Sequence, residues 1–272
     1  MLHEQPNLKE IKTISFIGSG NVATHLAIAL NAKGFTIDTI LSQTLQNATE
    51  LASKVNAKGI DQLNQLNQSS DLYIISLKDD VIDEYLKGLS IKGKLLVHTS
   101  GSYETNRLAN LSSKTGSFYP LQTFNKNISV DFSTIPIIIE SENTETVASL
   151  LTVAKRLTAN THILTATQKK ALHISAIGIN NFTHFILSKS KEYCRNNRLD
   201  FGLLNPLLKQ TIESFSNEEK PLQKQTGPAR RGDLTIIENH IEALSGDKEF
   251  QALYKDLSQY ILSEFHGEKY KL

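Results

Sequence analysis

The amino-acid sequence predicts an α/β protein in which a doubly wound parallel sheet is followed by an all-helical C-terminal domain. Up to about residue 165, short apolar segments of strand length alternate with segments of helical periodicity, which is the pattern of a doubly wound sheet. From residue 166 onward no strand-like alternation remains, and helical segments follow one another. We therefore predict one domain over residues 1–165 and a second, helical domain over residues 166–272.

The composition is that of an ordinary globular protein and argues against several classes of function. A net charge of +1 gives no electrostatic reason to expect nucleic acid or an anionic membrane as a partner. The single cysteine, Cys194, excludes an internal disulfide and a thiolate metal cluster within one chain, which fits a reducing cytoplasm. Residues 1–6 carry no basic and apolar export signal, and no segment has the roughly 20 apolar residues of a membrane span. We expect a cytoplasmic protein with a small-molecule substrate.

The first predicted strand, residues 14–17, runs directly into a glycine-rich turn and then into a helical pattern. In a G-x-G-x-x-A turn, the first glycine permits the bend, the second lets the backbone approach a pyrophosphate, and the alanine lets the helix pack on the sheet. The helix N-terminus offers free N–H groups and a positive dipole end to the diphosphate. The turn therefore favours a dinucleotide site over a purely structural glycine turn, formed by Gly18, Ser19, Gly20, Asn21, Val22 and Ala23.

The second predicted strand, residues 35–41, completes a β-α-β unit and ends at Ser42 and Gln43. An acidic residue at this end binds the ribose hydroxyls of NAD, whereas polar or basic residues leave room for the 2′-phosphate of NADP. Asp38 lies inside the predicted strand, where an exposed strand position is its simplest interpretation. The sequence therefore favours NADP, and NAD stays open because no arginine lies beside Ser42.

Further strands are predicted at residues 71–77, 94–98, 116–124, 135–139 and 161–164, and Pro120 is expected to break the third of them into a loop. Helices are predicted over residues 47–56 and 144–157, and another ends near Leu89 with Asp79 or Asp80 as its N-cap. Ligands of open parallel sheets lie outside the carboxyl ends of the strands. We therefore expect five residues at these ends to border the cofactor, namely Ser76, Leu77, His98, Thr99 and Ser100.

The helix predicted over residues 168–195 is too apolar for a surface helix, yet polar side chains recur near one face of it. His173, Asn181 and His184 fall on that face by helical spacing. Histidine can donate a proton to a carbonyl oxygen as hydride arrives, and asparagine can hydrogen-bond the same oxygen. We predict His173 and Asn181 as catalytic residues, although a satisfied core histidine is an equally good interpretation of His173 and the better one of His184. No carboxylate or cysteine lies at ligand spacing beside them, so no metal site is predicted.

Residues 201–215, 233–244 and 248–265 are the other predicted helices, and a loop over residues 220–233 precedes the second of them. The end of this loop, residues 226–233, reads T-G-P-A-R-R-G-D. Arg231 could hold a substrate carboxylate or phosphate with two hydrogen bonds, or it could be a solvated surface charge. Asp233 could pair with that arginine, but we expect it to cap the following helix.

Five segments of the chain occur together: the glycine turn, residues 98–102, residues 119–124, the helix with His173 and Asn181, and residues 226–233. In combination they resemble a group of uncharacterised bacterial proteins that join a Rossmann-like NAD(P)-binding domain to a helical domain of unknown function. The resemblance spans nearly the whole chain. More distantly, the arrangement is similar to pyrroline-5-carboxylate reductase, ketopantoate reductase and proteins with the C-terminal fold of 6-phosphogluconate dehydrogenase.

The resemblance implies a nicotinamide-dependent oxidoreductase, a homodimer formed through the helical domain, and substrate contacts from Tyr119, Gln122 and Arg231. Tyr119 stands where the relatives usually have histidine, and Ile177 stands where ketopantoate reductase has a lysine four residues before the helix asparagine. Lysine-based acid catalysis is therefore not expected, which leaves His173 as the proton donor. Gln43 replaces the arginine that the group usually has after the second strand, which weakens the preference for NADP.

Two functions follow from these observations. The first is an NAD(P)-dependent oxidoreductase that reduces a small carbonyl or imine substrate by hydride transfer. The second is a non-catalytic sensor or interaction protein that binds a dinucleotide on the same fold, and the missing lysine is the feature that favours it.

Overall fold

A computed structural model describes residues 9–216 and 221–272 of the protein. The chain forms two compact units, one up to Gly178 and the other from Ile179 to Leu272. The predicted domain boundary at residue 165 lies just after the last strand, whereas the border of the two units lies just after the end of the following helix. Residues 1–6, which bear on export, and Lys220 of the C-terminal loop lie outside the described residues.

One sheet contains the eight strands of the described chain. In sequence order they span Thr13–Ile17 (β1), Thr36–Leu41 (β2), Lys58–Ile60 (β3), Leu72–Ile75 (β4), Leu95–His98 (β5), Lys114–Pro120 (β6), Ile137–Glu140 (β7) and Thr161–Ile163 (β8). Their spatial order is β3-β2-β1-β4-β5-β6-β7-β8. All neighbouring pairs are parallel except β6 and β7, which run antiparallel. The predicted doubly wound sheet is confirmed, and its last two strands reverse the common direction.

The sheet has one strand that the sequence did not predict. This strand is β3, whose three residues Lys-Gly-Ile are too few to show an alternating pattern in the sequence. The prediction that Pro120 breaks its strand into a loop is confirmed, since β6 ends at Pro120, which still pairs with Ile137 of β7, and residues 121–124 are not part of a strand. Proline is tolerated there because Pro120 is the last residue of β6, where a missing N–H donor costs little.

Five α-helices belong to the described part of the first unit, and the first four of them pack apolar side chains on the sheet. They span Asn21–Ala32 (α1), Leu45–Lys54 (α2), Ile82–Tyr85 (α3), Thr144–Leu157 (α4) and Ala166–Ile177 (α5). Successive strand residues point to opposite faces of the sheet. Phe16 and Ile74 therefore belong to one buried cluster, and their neighbours Ile17 and Ile75 belong to the cluster on the other face.

The second unit is helical, as predicted. Its helices span Thr183–Asn196 (α6), Asn205–Ser216 (α7), Pro228–Arg231 (α8), Leu234–Ala243 (α9) and Lys248–His266 (α10). The single helix predicted over residues 168–195 is instead divided by a π-helical turn, Gly178–Phe182, which separates α5 from α6. Ala229, Ile237 and Leu262 form a small buried cluster in this unit. No helix in the described part of the chain is long and apolar enough to cross a membrane.

Asp71, just before β4, ties the beginning of that strand to β1. One carboxylate oxygen accepts hydrogen bonds from the backbone amides of Lys12 and Thr13 and from the Thr13 hydroxyl, and the other pairs with Lys9 at 2.7 Å. Burial alone raises the pKa of this carboxyl, but the hydrogen bonds from Lys9, Lys12 and Thr13 outweigh it and hold the pKa well below its usual range.

We expect Asp71→Asn to lower the free energy of unfolding at pH 7 by about 1 kcal/mol, a value reduced for solvent screening of a partly exposed group. A depressed pKa in the folded state contributes stability above the unfolded pKa of roughly 3.9, and this contribution is lost as the pH falls below it. Urea denaturation of wild type and variant at pH 7 and at acidic pH tests this. The stability gap between the two proteins should shrink on acidification, and a gap independent of pH would contradict the assignment.

Candidate functional site

The turn between β1 and α1 contains two glycines with different tasks. Gly18 has a φ of +113°, and its amide donates to the carbonyl oxygen of Leu41 at 2.7 Å. A Cβ at this position would lie 2.2 Å from the carbonyl oxygen of Ser76, so no side chain fits. Gly18 is therefore required by the fold itself, because it brings β1, β2 and β4 together at their carboxyl ends.

Gly20 is the N-cap of α1, and the fold does not explain it. Its φ is −71°, which any residue adopts, and a Cβ there would meet no described atom within 4 Å. The first amide of α1 with a helical acceptor is that of Thr24, so the amides of Asn21, Val22 and Ala23 precede the helical hydrogen-bond pattern. The turn thus offers open space in front of free donors and a positive helix end, which fits the pyrophosphate of a dinucleotide.

The end of β2 is polar and uncharged. The hydroxyls of Ser19 and Ser42 hydrogen-bond each other at 2.7 Å and are buried, while Gln43 is exposed. Asp38 lies within β2, where its carboxylate accepts hydrogen bonds from Asn67 at 2.7 Å and from Thr39 at 3.0 Å. Asp38 is therefore engaged inside the sheet edge rather than placed at the end of the strand, where a ribose-binding acid would lie.

The ends of β4 and β5 bring together the hydroxyls of Ser76 and Thr99, which are 2.9 Å apart. Leu77 follows Ser76 and is half-buried. The Ser100 hydroxyl donates to Asp79 at 2.8 Å, and Ser102 donates to the same carboxylate oxygen at 2.6 Å. The predicted capping role of Asp79 or Asp80 is wrong: Asp79 instead fixes the loop after β5, and the helix α3 ends at Tyr85, well before Leu89.

His98 does not border the cofactor space with its side chain, contrary to the sequence prediction. The side chain is fully buried at the end of β5, where Nε2 lies 3.0 Å from the Thr105 hydroxyl and Nδ1 accepts from the Ser100 amide at 3.2 Å. Burial, together with the nearby Lys169 ammonium, holds the pKa of this imidazole well below its usual value. His98 is therefore neutral, and its Nδ1 binds the Ser100 amide in the loop after β5.

His173 and Tyr119 meet at the same edge of the sheet. The Tyr119 hydroxyl lies 3.0 Å from Nδ1 of His173, and the two rings contact each other edge to face. Gly101, in the loop after β5, makes room for the imidazole, because a Cβ at Gly101 would lie 2.5 Å from Nδ1. The structure thus places the predicted catalytic histidine on the first unit, against a predicted substrate-binding tyrosine.

The hydrogen bond between Tyr119 and His173 can form in two protonation states of the imidazole. Burial raises the pKa of the Tyr119 phenol, so the phenol keeps its proton and can donate it to Nδ1. With Nδ1 as the acceptor, the imidazole carries its own hydrogen on Nε2. When the ring is protonated, Nδ1 donates to the phenol oxygen instead and Nε2 keeps its hydrogen, and this imidazolium is the form that can act as a general acid.

Sequence reasoning missed a buried ion pair beneath this contact. Lys169, one turn before His173 on α5, is 2% exposed, and its ammonium lies 3.1 Å from Oε2 of Glu140, which is 5% exposed. Lysine and glutamate are usually exposed, so neither residue stands out in the sequence. The one available signal is the spacing of four residues between Lys169 and His173, which puts both on one helix face.

The other predicted residues are exposed. Asn181 and His184 are not in an apolar environment, so the predicted buried polar row continues only as far as His173. Gln122 accepts a hydrogen bond from the neighbouring Thr123 amide. Asp233 is the N-cap residue of α9, as predicted, but its side chain makes no cap hydrogen bond and pairs with Arg231 at 2.8 Å instead. Within the described ranges, no three histidine, cysteine or acidic side chains are grouped to hold a metal ion.

The fold and the glycine turn define the class of the protein, which has the fold of an NAD(P)-dependent oxidoreductase. Residues 13–101 match a family described as coenzyme F420-dependent NADP oxidoreductase, and residues 135–261 match a domain of unknown function, DUF2520. A Bacteroides fragilis protein provisionally named an NADP oxidoreductase is 37% identical, with 93% of this chain and 98% of that chain covered at a TM-score of 0.82. The protein belongs to the family that joins this type of Rossmann domain to DUF2520, which confirms the resemblance inferred from the sequence.

Solved structures of more distant proteins share the fold. A reductive aminase from Aspergillus terreus, in complex with NADPH and ethyl-5-oxohexanoate, is 17% identical, with 94% and 96% of the two chains covered at a TM-score of 0.72. An imine reductase from Myxococcus stipitatus, in complex with NADP+, is 14% identical, with 92% of each chain covered at a TM-score of 0.69.

A sequence match covers a smaller part of the chain. Glutamyl-tRNA reductase from Oceanobacillus iheyensis is 36% identical over 73 residues, which are 26% of this chain and 16% of that enzyme.

Proposed function

We propose that the protein is an NAD(P)-dependent oxidoreductase that reduces a small carbonyl or imine substrate by hydride transfer. The observation that carries this proposal is the contact between His173 and Tyr119 beside Gly101. It lies at the sheet edge where β1, β4 and β5 end and where the glycine turn opens, so a proton donor stands where ligands of such sheets bind. The shared fold with an imine reductase and a reductive aminase is consistent with this class of substrate.

When bound, a nicotinamide cofactor supplies a hydride to the substrate carbon, and the substrate oxygen or nitrogen then needs a proton. The protonated imidazole of His173 donates this proton from Nε2 and becomes neutral, while the contact between Nδ1 and the Tyr119 hydroxyl orients the ring. Ser76, Thr99 and Ser100 border the same space through the strand ends. The amides of the glycine turn bind the pyrophosphate.

We propose NADP as the preferred cofactor, with NAD as the alternative. Residues 42–47, from the end of β2 into α2, contain no aspartate or glutamate that would repel a 2′-phosphate. The hydroxyl of Ser42 is hydrogen-bonded to that of Ser19. The exposed residues Gln43 and Thr44 are therefore the ones available to a ribose substituent. The catalytic role of Asn181 and the substrate contacts of Gln122 and Arg231 stay proposals from the sequence. Changes to alanine test them, by the effect on kcat for Asn181 and on KM for the other two.

Calorimetric titration with NADPH and NADH, followed by a screen of small aldehydes, ketones and cyclic imines, tests the proposed function. We expect micromolar binding of at least one cofactor and oxidation of the reduced form by a member of the screen. Binding without any turnover would favour the alternative, a dinucleotide-binding sensor. No binding of either cofactor would remove both proposals.

We also propose that the protein forms a homodimer through its helical unit. Large apolar side chains are exposed there far more than is usual for an isolated unit. They include Ile179, Phe182, Phe185, Leu199, Leu203, Leu207, Ile212 and Phe215.

Sedimentation velocity tests this second proposal. We expect wild type at twice the monomer mass, and we expect Phe182→Asp to weaken dimerisation by about thirty-fold or more, as for an interface residue worth about 2 kcal/mol. Ile128→Asp, an equally exposed apolar position of the first unit, is the matched control and should leave the dimer unchanged. A wild-type monomer at high concentration would contradict the proposal.

A further inference from the structure

The ion pair between Lys169 and Glu140 is buried on the face of the sheet that α5 covers. Lys169 donates to Oε2 of Glu140 at 3.1 Å and to the carbonyl oxygen of Tyr103 at 3.2 Å. Oε2 also accepts from the Thr105 hydroxyl at 2.5 Å. Desolvation makes a buried ion pair expensive, and apolar side chains of similar size often stabilise a fold as well or better. The pair therefore calls for an explanation other than stability.

The directions of the hydrogen bonds around the pair follow from the backbone. The Ser100 amide can only donate, so Nδ1 of His98 accepts and Nε2 carries the hydrogen. Nε2 donates to the Thr105 hydroxyl, which in turn donates to Glu140. These hydrogen bonds form a chain from the loop after β5 to the carboxylate of Glu140. The chain begins at the Ser100 backbone amide, which does not transfer its proton. The network fixes positions and does not conduct protons.

The geometry of α5 links this network to His173. The helix begins with a capping box in which Thr165 and Gln168 exchange hydrogen bonds, so its first turn is fixed. Lys169 and His173 lie four residues apart on the same face. Lys169 attaches to β7 through Glu140, and His173 attaches to β6 through Tyr119 and contacts the loop at Gly101. Rotation or sliding of α5 that moved Lys169 would therefore move the imidazole as well.

We propose that the Lys169–Glu140 ion pair is a positioning pair that holds the imidazole of His173 against Tyr119 and Gly101. A charged pair suits this task because an ammonium and a carboxylate in a buried site tolerate only the arrangement that satisfies both, whereas apolar side chains tolerate several. Both side chains are buried, so neither is open to a substrate or cofactor. Their importance for turnover rests on the proposed function, but their effect on the ring of His173 does not.

The test replaces both charges at once, so that no unpaired charge is left buried. Lys169→Met combined with Glu140→Gln keeps the size of both side chains and an acceptor for Thr105. Lys170→Met is the matched control, because Lys170 is the next residue on the helix and is exposed. Circular dichroism confirms that each protein is folded.

The first readout is the nuclear magnetic resonance spectrum of the imidazole nitrogens, with the His173 signals assigned by their loss in His173→Gln. We expect wild type and Lys170→Met to show one His173 tautomer with hydrogen on Nε2 and an accepting Nδ1. The double variant should show shifted, exchange-broadened His173 signals. Where a substrate has been found, its kcat should fall by about ten- to a hundred-fold, as misplaced catalytic groups do, with the Kd of the cofactor unchanged.

Unchanged His173 signals in a folded double variant would overturn the proposal, and so would an unchanged kcat. A shifted spectrum in a protein that turns over no substrate would uphold the positioning role and contradict the proposed function instead. The two failures are thus distinguishable, because the spectrum needs neither cofactor nor substrate.

Discussion

Gly20→Val is expected to weaken dinucleotide binding at least about a hundred-fold, a loss of roughly 2.7 kcal/mol in binding free energy, while the protein stays folded. The valine side chain would project into the open space in front of the first turn of α1, where we propose that the pyrophosphate lies. Because a Cβ at Gly20 would meet no described atom within 4 Å, the fold gives the new side chain room. Valine is a poorer N-cap than glycine, so a small decrease in melting temperature is expected.

Gly20 is the position that separates binding from folding in this turn. The same substitution at Gly18 would drive a side chain into the backbone of Ser76 at a φ of +113°, so loss of binding there would be uninterpretable. Gly246→Val is the matched control, because a Cβ at Gly246 also meets nothing within 4 Å. Calorimetric titration of the three proteins with NADPH and NADH makes the comparison. Wild-type affinity in folded Gly20→Val would place the dinucleotide elsewhere.

His173→Gln is expected to lower kcat for an identified substrate by about 10²–10⁴-fold, the usual contribution of a general acid, with cofactor affinity unchanged. Glutamine keeps a hydrogen-bonding side chain of similar reach but cannot donate a proton at neutral pH. The change removes the ring that Gly101 accommodates and that Tyr119 holds at 3.0 Å. Steady-state kinetics with the variant measure the loss directly.

Two further variants define what a change in kcat means. Tyr119→Phe removes the hydroxyl on Nδ1 and keeps the ring, so a smaller decrease of about ten-fold is expected, the value of one net hydrogen bond. His162→Gln changes an exposed histidine of β8 whose contact is Asn160, and it should behave as wild type. Turnover by His173→Gln at the wild-type rate would show that the proton comes from another group.

Much of the fold was predictable because its signals are local. The bend at Gly18 needs a positive φ, and the alternation of apolar segments marks each long strand and helix without knowledge of its neighbours. The direction of β7 was not predictable, since a short apolar strand reads the same in a parallel and an antiparallel pair. The π-helical turn that divides the helix predicted over residues 168–195 also left no sign in the helical periodicity of the sequence.

The candidate site shows the same division. His173 and Tyr119 were each predicted as functional residues, but nothing in the sequence indicates that they touch. His98 was expected at the cofactor because it ends a strand, whereas its side chain points into the buried face of the sheet. Asp79 is of a residue type that often caps helices, but its carboxylate accepts hydrogen bonds from two serines of the loop after β5 instead. In each case the residue type indicated a polar or functional position, but the sequence did not indicate which side chain it contacts.

The sequence by itself determined the strand-turn-helix unit with its two glycines, the class of fold and the family, because these depend on backbone preferences and on periodic burial along the chain. The tertiary structure alone decided which side chains meet. Tyr119 and His173 are 54 residues apart, and Glu140 and Lys169 are 29 apart. Their contacts arise from the order of the strands and from the packing of α5 on them, so the buried ion pair and the contact between Tyr119 and His173 exist only in the folded chain.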